Sequence, residues 1–185
     1  MNITGGKYKS RKIKTIEGRD VRPTLSKVRE SIFNVLQTKI IDAVMLDGFA
    51  WSGIMGIEGA SRGAKKVIFI EKNPSVARIL KDNIQNFDFD NEVYIKDTLK
   101  ALKTFEEESF DVIFLDPPYD TELLFESLKL IQQNRLLKKD GIIICEVPKA
   151  RSTFALNGEE LQGFQTDKVK TYGDTAILFL SFTHS

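Results

Sequence analysis

The feature that most constrains the fold is a series of five short apolar runs that alternate with segments of helical period from residue 43 onward. The runs are AVMLDG, KKVIFIE, NEVYIK, FDVIFLD and GIIICEV. Apolar residues recur at helical spacing between them, for example in PSVARILKDNIQNF and TELLFESLKLIQQNRLL. Near-continuous apolar strands that alternate with helices predict a parallel sheet covered on both faces.

Both ends of the chain depart from this alternation. Near the N-terminus, KYKSRKIKTI predicts one or two small strands, and RPTLSKVRESIFNVLQTKI predicts a helix that starts at Pro23 and Thr24. Near the C-terminus, FQTDKVKTY and TAILFLSF follow one another across Gly-Asp, which predicts a β-hairpin. The sequence therefore predicts a doubly wound, mostly parallel, Rossmann-like α/β sheet of seven strands, with an antiparallel C-terminal hairpin and a small N-terminal β-hairpin and helix extension.

Composition indicates one soluble globular domain. The chain has 185 residues, of which 42% are hydrophobic and 29% are charged. No apolar stretch approaches the roughly 18 residues needed to cross a bilayer, and MNITGGKYKSRK lacks the apolar core of a secretory signal, so we expect a cytoplasmic protein without a membrane partner. The single cysteine, Cys145, lies in an apolar run, so we expect neither a disulfide nor a cysteine metal cluster.

Charge is concentrated at the N-terminus. Residues 1–39 contain ten Lys or Arg against three acids, a balance of +7, although the whole chain carries only +1. This distribution predicts a basic N-terminal extension over residues 1–40, followed by the globular domain over residues 41–185. A basic segment on a mildly acidic body is typical of proteins that bind a phosphate backbone, and a solvated basic surface is the alternative.

Four acidic residues stand at or just after four successive predicted strand ends. In a doubly wound sheet, ligands bind outside the carboxyl ends of the strands, so these acids are candidate ligand contacts, although each could instead cap the next helix. Glu71 lies 24 residues after Asp47, close to the spacing of the acid that accepts ribose hydroxyls in nucleotide-binding α/β folds. This spacing does not distinguish a nicotinamide cofactor from S-adenosylmethionine. The four acids are Asp47, Glu71, Asp97 and Asp116.

The motif DPPY, residues 116–119, directly follows the apolar run VIFL. Two consecutive prolines fix φ and remove two backbone donors, which leaves rigid carbonyl acceptors at the rim of the sheet. Asp116 and the Pro117 carbonyl can accept the two hydrogens of an exocyclic amine while Tyr119 stacks on the ring that carries it. The motif therefore predicts a site for a flat heterocycle with an NH₂ group, and an ordinary strand-to-loop turn is the alternative.

Taken together, these segments resemble one family. Five segments of the chain are similar, in the same order, to segments of the RsmD family of bacterial 16S ribosomal RNA guanine-N2 methyltransferases. The segments are ITGGKYKSRKI, RPTLSKVRESIFNVL, FAWSGIMGIEGASRGA, FLDPPY and KTYGDTAILF. The resemblance covers nearly the whole chain. It implies a class I S-adenosylmethionine-dependent methyltransferase that acts on guanine 966 of 16S RNA in the small ribosomal subunit, with no metal.

The resemblance also implies roles for individual residues. The methionine end of the cofactor would lie against Asp47 and the loop through Phe49, Ser52 and Gly53. Glu71 would bind the ribose and Asp97 the adenine amine. Asp116, Pro117 and Tyr119 would hold the target guanine. The candidates for contacts with RNA are Lys7, Arg11, Arg22 and Arg29.

One residue of the glycine loop departs from the family pattern. Trp51 stands where the family usually has glycine, and a positive φ there would cost roughly 1–2 kcal/mol for a non-glycine residue. We expect the indole to turn outward beneath the basic segment rather than to lie over the methionine pocket. Two alternatives follow: a family member that binds RNA without catalysis, and an NAD-type oxidoreductase whose GxGxxG turn has Trp51 in place of the first glycine.

Overall fold

A computed structural model describes residues 1–16, 26–118, 121–152 and 161–183. The predicted helix start at Pro23 and Thr24, and the candidate residues Arg22 and Tyr119, lie outside the described residues. The chain divides into two compact units, Met1–Thr98 and Leu99–Ser185, which are described in turn.

The first unit holds three parallel strands and the helices that connect them. The strands lie in the order β3-β2-β1, with Asp47 opposite Phe69 and Ile70 opposite Tyr94. The predicted strands and the helix in PSVARILKDNIQNF are thereby confirmed. The elements are α1 (Ser26–Leu36), a 3₁₀ turn (Gln37–Ile40), β1 (Val44–Asp47), α2 (Ile54–Ser61), β2 (Lys66–Ile70), α3 (Pro74–Ile84) and β3 (Asp90–Tyr94).

The N-terminal segment, residues 1–16, is less regular than the predicted β-hairpin. Among the described residues it forms one isolated antiparallel bridge, between Asn2 and Lys12. The reason lies in where its backbone donors go. The N–H groups of Thr4 and Gly5 donate to the Glu58 carboxylate, and that of Lys7 donates to the Ser61 carbonyl. These donors bond to α2, so they do not extend a β-ladder.

The second unit contains the remaining strands in the order β4-β5-β7-β6. β5 pairs in parallel with β4 and antiparallel with β7, and the predicted C-terminal hairpin turns at Gly173, whose φ is +56°. β5 begins four residues before the predicted run GIIICEV. The elements are α4 (Thr98–Leu102, which starts at the last residue of the first unit), β4 (Phe110–Leu115), α5 (Thr121–Gln133), β5 (Leu137–Pro148), a 3₁₀ turn (Lys149–Arg151), β6 (Phe164–Tyr172) and β7 (Thr175–Phe182).

The predicted fold class is confirmed: a seven-stranded, mostly parallel sheet with an antiparallel C-terminal end. No helix within the described ranges is long and apolar enough to cross a membrane. The proposed boundary at residues 40 and 41 does not coincide with the division into compact units, because residues 1–98 pack as one. A separate role for the basic extension stays a prediction.

Candidate cofactor site and substrate loop

The loop that follows β1, residues 48–53, is held by backbone bonds on both sides. The N–H of Ala50 donates to the Ile70 carbonyl over 2.9 Å, and the N–H of Gly53 donates back to the Ala50 carbonyl over 2.8 Å. From the start of α4, the hydroxyl of Thr98 donates to the Gly48 carbonyl over 2.7 Å. The loop therefore keeps one conformation at the carboxyl end of β1, where ligands bind in such sheets.

Asp47, the last residue of β1, is 1% exposed and its two carboxylate oxygens have different surroundings. Oδ2 accepts the N–H of Gly56, in the first turn of α2, over 3.1 Å. Oδ1 is buried and has no hydrogen-bond partner among the described residues. Burial raises the pKa of Asp47 to about 7, the Gly56 N–H opposes this shift, and the nearby charge of Glu71 adds to it. A buried acceptor without a donor is the kind of atom that a ligand amine or hydroxyl completes.

Glu71 follows β2 and fixes two backbone segments with its carboxylate. Oε1 accepts the N–H of Trp51 over 3.1 Å, and Oε2 accepts the N–H of Asn73, the N-cap of α3, over 2.9 Å. Glu71 is 7% exposed. Because an ionised carboxylate has about four acceptor positions, these two bonds leave room for two hydroxyl donors.

Trp51 adopts a left-handed backbone conformation, which is costly for a non-glycine residue. Its φ is +53°, its N–H is held by Glu71, and its side chain is half-buried. The next glycine, Gly53, has φ +87°, and a Cβ there would lie 2.3 Å from Cδ1 of Leu80. Position 53 favours glycine because its φ is strongly positive and a Cβ would also displace the Leu80 side chain, whereas position 51 accepts a side chain at a cost in backbone strain.

A pair of substitutions at Trp51 separates the backbone cost from the effect of the indole. We expect Trp51→Gly to be more stable than Trp51→Ala by about 1 kcal/mol, because both lose the indole but only alanine keeps the strain of a positive φ. Urea unfolding of the two variants measures this difference. We also expect both variants to bind S-adenosylhomocysteine within about threefold of the wild type, since we place the indole outside the pocket. Binding that tightens in both variants by tenfold or more would show that the indole obstructs the site.

The other predicted cofactor residues lie around the same loop. Phe49 is half-buried and Ser52 is 4% exposed. Asp97 is half-buried and directly precedes α4. The structure thus brings the predicted loop residues, Asp47 and Glu71 to one end of the first unit's sheet. Binding of a cofactor by these residues stays a prediction.

Sequence reasoning missed two polar residues that hold this loop: Thr98, which donates to the Gly48 carbonyl, and Asn83, whose Nδ2 donates to the Ser52 carbonyl. Thr98 directly follows Asp97 at the start of a helix, a position where Ser or Thr commonly bonds to nearby backbone. Asn83 is the polar member of the apolar stripe of α3, where it accompanies Ala77, Leu80 and Ile84 in the core. A polar residue inside an apolar stripe was the available signal, because such a side chain requires buried partners.

The four predicted RNA contacts differ in their surroundings. Lys7 and Arg11 are exposed, and Arg11 stacks its guanidinium over the Phe87 ring and donates to the Asn86 carbonyl. Arg22 lies outside the described residues. Arg29 is fully buried, with its Nε 3.5 Å from Oε1 of Glu58.

The prediction that Arg29 contacts phosphate is therefore wrong. Its Nη2 also donates to the Asn2 carbonyl over 2.6 Å. Burial lowers the pKa of Arg29, and the Glu58 carboxylate opposes this shift. Arg29 is an internal ion-pair partner because helical periodicity points it to the buried face of α1, together with Val28, Ile32 and Phe33.

The candidate substrate loop belongs to the second unit. β4 ends at Leu115, and Asp116 and Pro117 are the next two residues of the chain. Both are half-exposed. Tyr119 lies outside the described residues. The described residues contain no group of His, Cys, Asp or Glu side chains able to hold a metal ion.

Two features define the class I methyltransferase fold. The seven-stranded sheet is mostly parallel with an antiparallel end, and its first strand ends in an acid that is followed by a glycine loop. Within that class, the chain belongs to the RsmD family: the family model described as "Conserved hypothetical protein 95" matches residues 1–181.

Individual relatives agree with this assignment. The chain is 37% identical to "Ribosomal RNA small subunit methyltransferase D" of Haemophilus influenzae over 80% of this chain and 79% of that protein. It is 30% identical to the Escherichia coli protein of the same name over 88% of this chain and 85% of that protein. The solved structure of yhhF from Escherichia coli superposes with a TM-score of 0.85 at 26% identity, covering 100% of this chain and 99% of that one.

Proposed function

We propose that this protein transfers a methyl group from S-adenosylmethionine to the exocyclic N2 amine of a guanine in 16S ribosomal RNA, at the site corresponding to guanine 966. The observation that carries the proposal is the buried Oδ1 of Asp47, which has no hydrogen-bond partner in the described part of the chain and lies beside a fixed glycine loop and the Glu71 carboxylate. Family membership and the relatives named for ribosomal RNA small subunit methylation support the substrate class.

The residues at the end of the first unit's sheet fit the chemistry of this cofactor. Oδ1 of Asp47 needs a donor, and the methionine part of the cofactor carries an ammonium group. Glu71 keeps acceptor positions for ribose hydroxyls, and we assign Asp97 to the adenine amine. When bound, S-adenosylmethionine supplies an electrophilic methyl group on a sulfonium, so the chain's own groups supply binding and position rather than a covalent intermediate.

For the target base, the proposed contacts are those of DPPY. The Asp116 carboxylate and the Pro117 carbonyl accept the two amine hydrogens, which orients the N2 lone pair for in-line attack. Asp116 is also the group assigned to receive the proton released from N2. Tyr119 offers a stacking surface for a base that leaves its neighbours in the RNA.

In this proposal, exposed basic side chains of the N-terminal segment bind the RNA backbone. Lys7 and Arg11 are exposed, and we retain Arg22 as the third candidate. Contacts of this kind bind phosphates and position the RNA, whereas the contacts of DPPY select the base. An enzyme with this substrate acts in the cytoplasm, in keeping with the sequence prediction.

The decisive test is methyl transfer from labelled S-adenosylmethionine to small ribosomal subunits that lack the modification. We expect label in 16S RNA, and N2-methylguanosine at a single position after nuclease digestion. Label in a different nucleoside would contradict the assignment to the N2 amine. Salt-sensitive RNA binding without any label would favour the alternative that Trp51 raises, a member that binds RNA without catalysis.

The oxidoreductase alternative loses its support. The family assignment covers residues 1–181 and the relatives are named as methyltransferases. Calorimetric titration with NAD and with S-adenosylmethionine checks this directly, and heat with NAD alone would contradict the methyltransferase assignment.

The raised pKa of Asp47 predicts opposite pH trends for stability and for cofactor affinity. In the unfolded chain, the Asp47 carboxyl loses its proton above its ordinary pKa of about 3.9. In the folded chain it keeps that proton up to about pH 7. The stability that this carboxyl contributes therefore falls as pH rises between those two values. An ammonium donor binds the ionised carboxylate, so affinity for S-adenosylhomocysteine should rise about tenfold from pH 6 to pH 8 and then level off.

Calorimetric titration at several pH values measures this rise in affinity. The matched variant Asp47→Asn cannot ionise and should show no such rise. A wild-type affinity that stays flat between pH 6 and pH 8 would contradict an ionised Asp47 as the partner of the cofactor.

A further inference from the structure

We infer that Asn83 is a positioning residue that couples the cofactor loop to the basic N-terminal segment, so that cofactor binding orders the RNA-binding surface. This inference rests on the proposed function, because it takes residues 48–53 as the cofactor loop and residues 1–16 as part of the RNA surface. Asn83 lies in the last turn of α3 and touches neither ligand in our assignment.

The side-chain amide of Asn83 bonds to both segments at once. Its Nδ2 donates to the Ser52 carbonyl over 2.9 Å and to the Lys14 carbonyl over 3.0 Å. Its Oδ1 accepts the N–H of Lys14 over 2.9 Å. Both amide hydrogens and one acceptor position are therefore used, and the backbone of Lys14 is held from both of its polar groups.

Burial makes this link stiff. Asn83 is 1% exposed, and Ser52 is 4% exposed. A buried amide that loses one partner bears the full desolvation penalty of the unpaired group, since water cannot replace the bond. The bond to Ser52 is buried, so a shift of the Ser52 carbonyl has to be followed by the Asn83 amide, and the two part-buried bonds transmit that shift to the backbone of the exposed Lys14.

The basic segment also rests on the chain that follows α3. The Tyr8 hydroxyl donates to the Asp88 carbonyl over 2.7 Å, and Arg11 donates to the Asn86 carbonyl. The Tyr8 ring packs against Phe87 at 4.9 Å, and the Arg11 guanidinium lies over the same Phe87 ring. Two of the proposed phosphate-binding side chains, Lys7 and Arg11, are thus carried by a segment that is anchored beside Asn83.

The consequence is reciprocal. If the cofactor fixes the loop that Asn83 holds, it also reduces the conformational freedom of residues 8–16. RNA that binds these residues then raises the affinity for the cofactor by the same factor by which the cofactor raises the affinity for RNA. The coupling passes through three hydrogen bonds within one compact unit, Met1–Thr98.

The first test uses the wild-type protein alone. Hydrogen exchange is followed by mass spectrometry with and without saturating S-adenosylhomocysteine, after calorimetry has established that the ligand binds. We expect exchange in peptides covering residues 8–16 to slow at least about threefold, although these residues lie outside the assigned cofactor contacts. Protection limited to the assigned cofactor contacts, in residues 47–56, residues 71–76 and Asp97, would overturn the coupling and leave the proposed function intact. Failure of the ligand to bind would overturn both.

The second test compares Asn83→Leu with the matched variant Asn86→Leu. Asn86 is an exposed asparagine three residues later, and its side chain makes only a local bond to the Asp82 carbonyl among the described contacts. We measure retention of 16S RNA on filters with and without S-adenosylhomocysteine. The ligand should tighten RNA binding about fivefold in the wild type and in Asn86→Leu, and should leave it unchanged in Asn83→Leu.

The ratio of RNA affinities separates coupling from a purely structural role, because a uniform loss of stability weakens binding with and without the ligand alike. An undiminished ratio in folded Asn83→Leu, or no enhancement in the wild type, would overturn the inference. If Asn83→Leu does not fold, the exchange experiment on the wild type still decides.

Discussion

Replacing Asp116 with alanine should lower the rate of methyl transfer by about 10²–10⁴-fold, while S-adenosylhomocysteine binds within about twofold of the wild-type affinity. The rate falls because the variant loses the carboxylate that we assign to an amine hydrogen and to the released proton. Cofactor binding persists because the residues that we assign to the cofactor are Asp47, its loop, Glu71 and Asp97, and Asp116 is not one of them. Single-turnover transfer to unmodified small subunits and calorimetric titration measure the two quantities.

The matched control for Asp116 is Asp111→Ala. Asp111 lies within β4, which ends directly before Asp116, and forms an ion pair with Lys138 over 3.2 Å, with both side chains partly exposed. Surface ion pairs contribute at most about 1 kcal/mol, so this variant should retain wild-type transfer. An Asp116→Ala protein that transfers methyl groups at the wild-type rate would refute the role that we assign to this carboxylate.

Arg29→Met should destabilise the protein by about 3 kcal/mol without changing the salt dependence of RNA binding. The change removes the buried partner of Glu58, and breaking a buried ion pair leaves a charge without compensation. The loss stays at the lower end of the usual range because Glu58 keeps Arg62 at 3.2 Å and the N–H groups of Thr4 and Gly5. Urea unfolding measures the free energy of unfolding. Filter binding at about 50 and about 200 mM salt measures how steeply RNA affinity falls with salt concentration.

Arg11→Met is the counterpart to Arg29→Met. Arg11 is exposed, so its loss should cost about 1 kcal/mol or less in stability and should reduce the salt slope by about one. If instead Arg29→Met reduced the slope and Arg11→Met did not, the assignment of the two arginines would be reversed.

Most of the fold could be predicted because its signals are local and repeated. The apolar runs GIIICEV and KKVIFIE, and the helical period of PSVARILKDNIQNF, each fix an element before any tertiary contact is considered. The Gly173-Asp174 turn between the runs FQTDKVKTY and TAILFLSF likewise predicts a hairpin. The acids at the ends of β1 and β2 could be placed because the carboxyl ends of parallel strands share one edge.

The errors concern residues whose surroundings depend on distant parts of the chain. Arg29 stands in a basic stretch and reads as a surface cation, but Glu58 in α2 makes its burial possible. The N-terminal segment pairs with itself around Asn2 and Lys12, as predicted, but the pairing is short because Glu58 and Ser61 take the N–H groups of Thr4, Gly5 and Lys7. Asn83 gave no obvious functional signal because its partners, Lys14 and Ser52, are 69 and 31 residues away.

The docking of residues 1–16 onto α2 and α3 bears on how such a protein can be engineered. The N-terminal segment, residues 1–16, is a basic arm that cannot be exchanged as an independent module. Here the arm supplies partners for the interior: Thr4 and Gly5 for Glu58, Gly5 and Tyr8 for the Ser61 hydroxyl, and Lys14 for Asn83. Retargeting this scaffold therefore means changing exposed side chains such as Lys7 and Arg11 in place, since a transplanted arm would leave buried polar groups of the catalytic domain without partners.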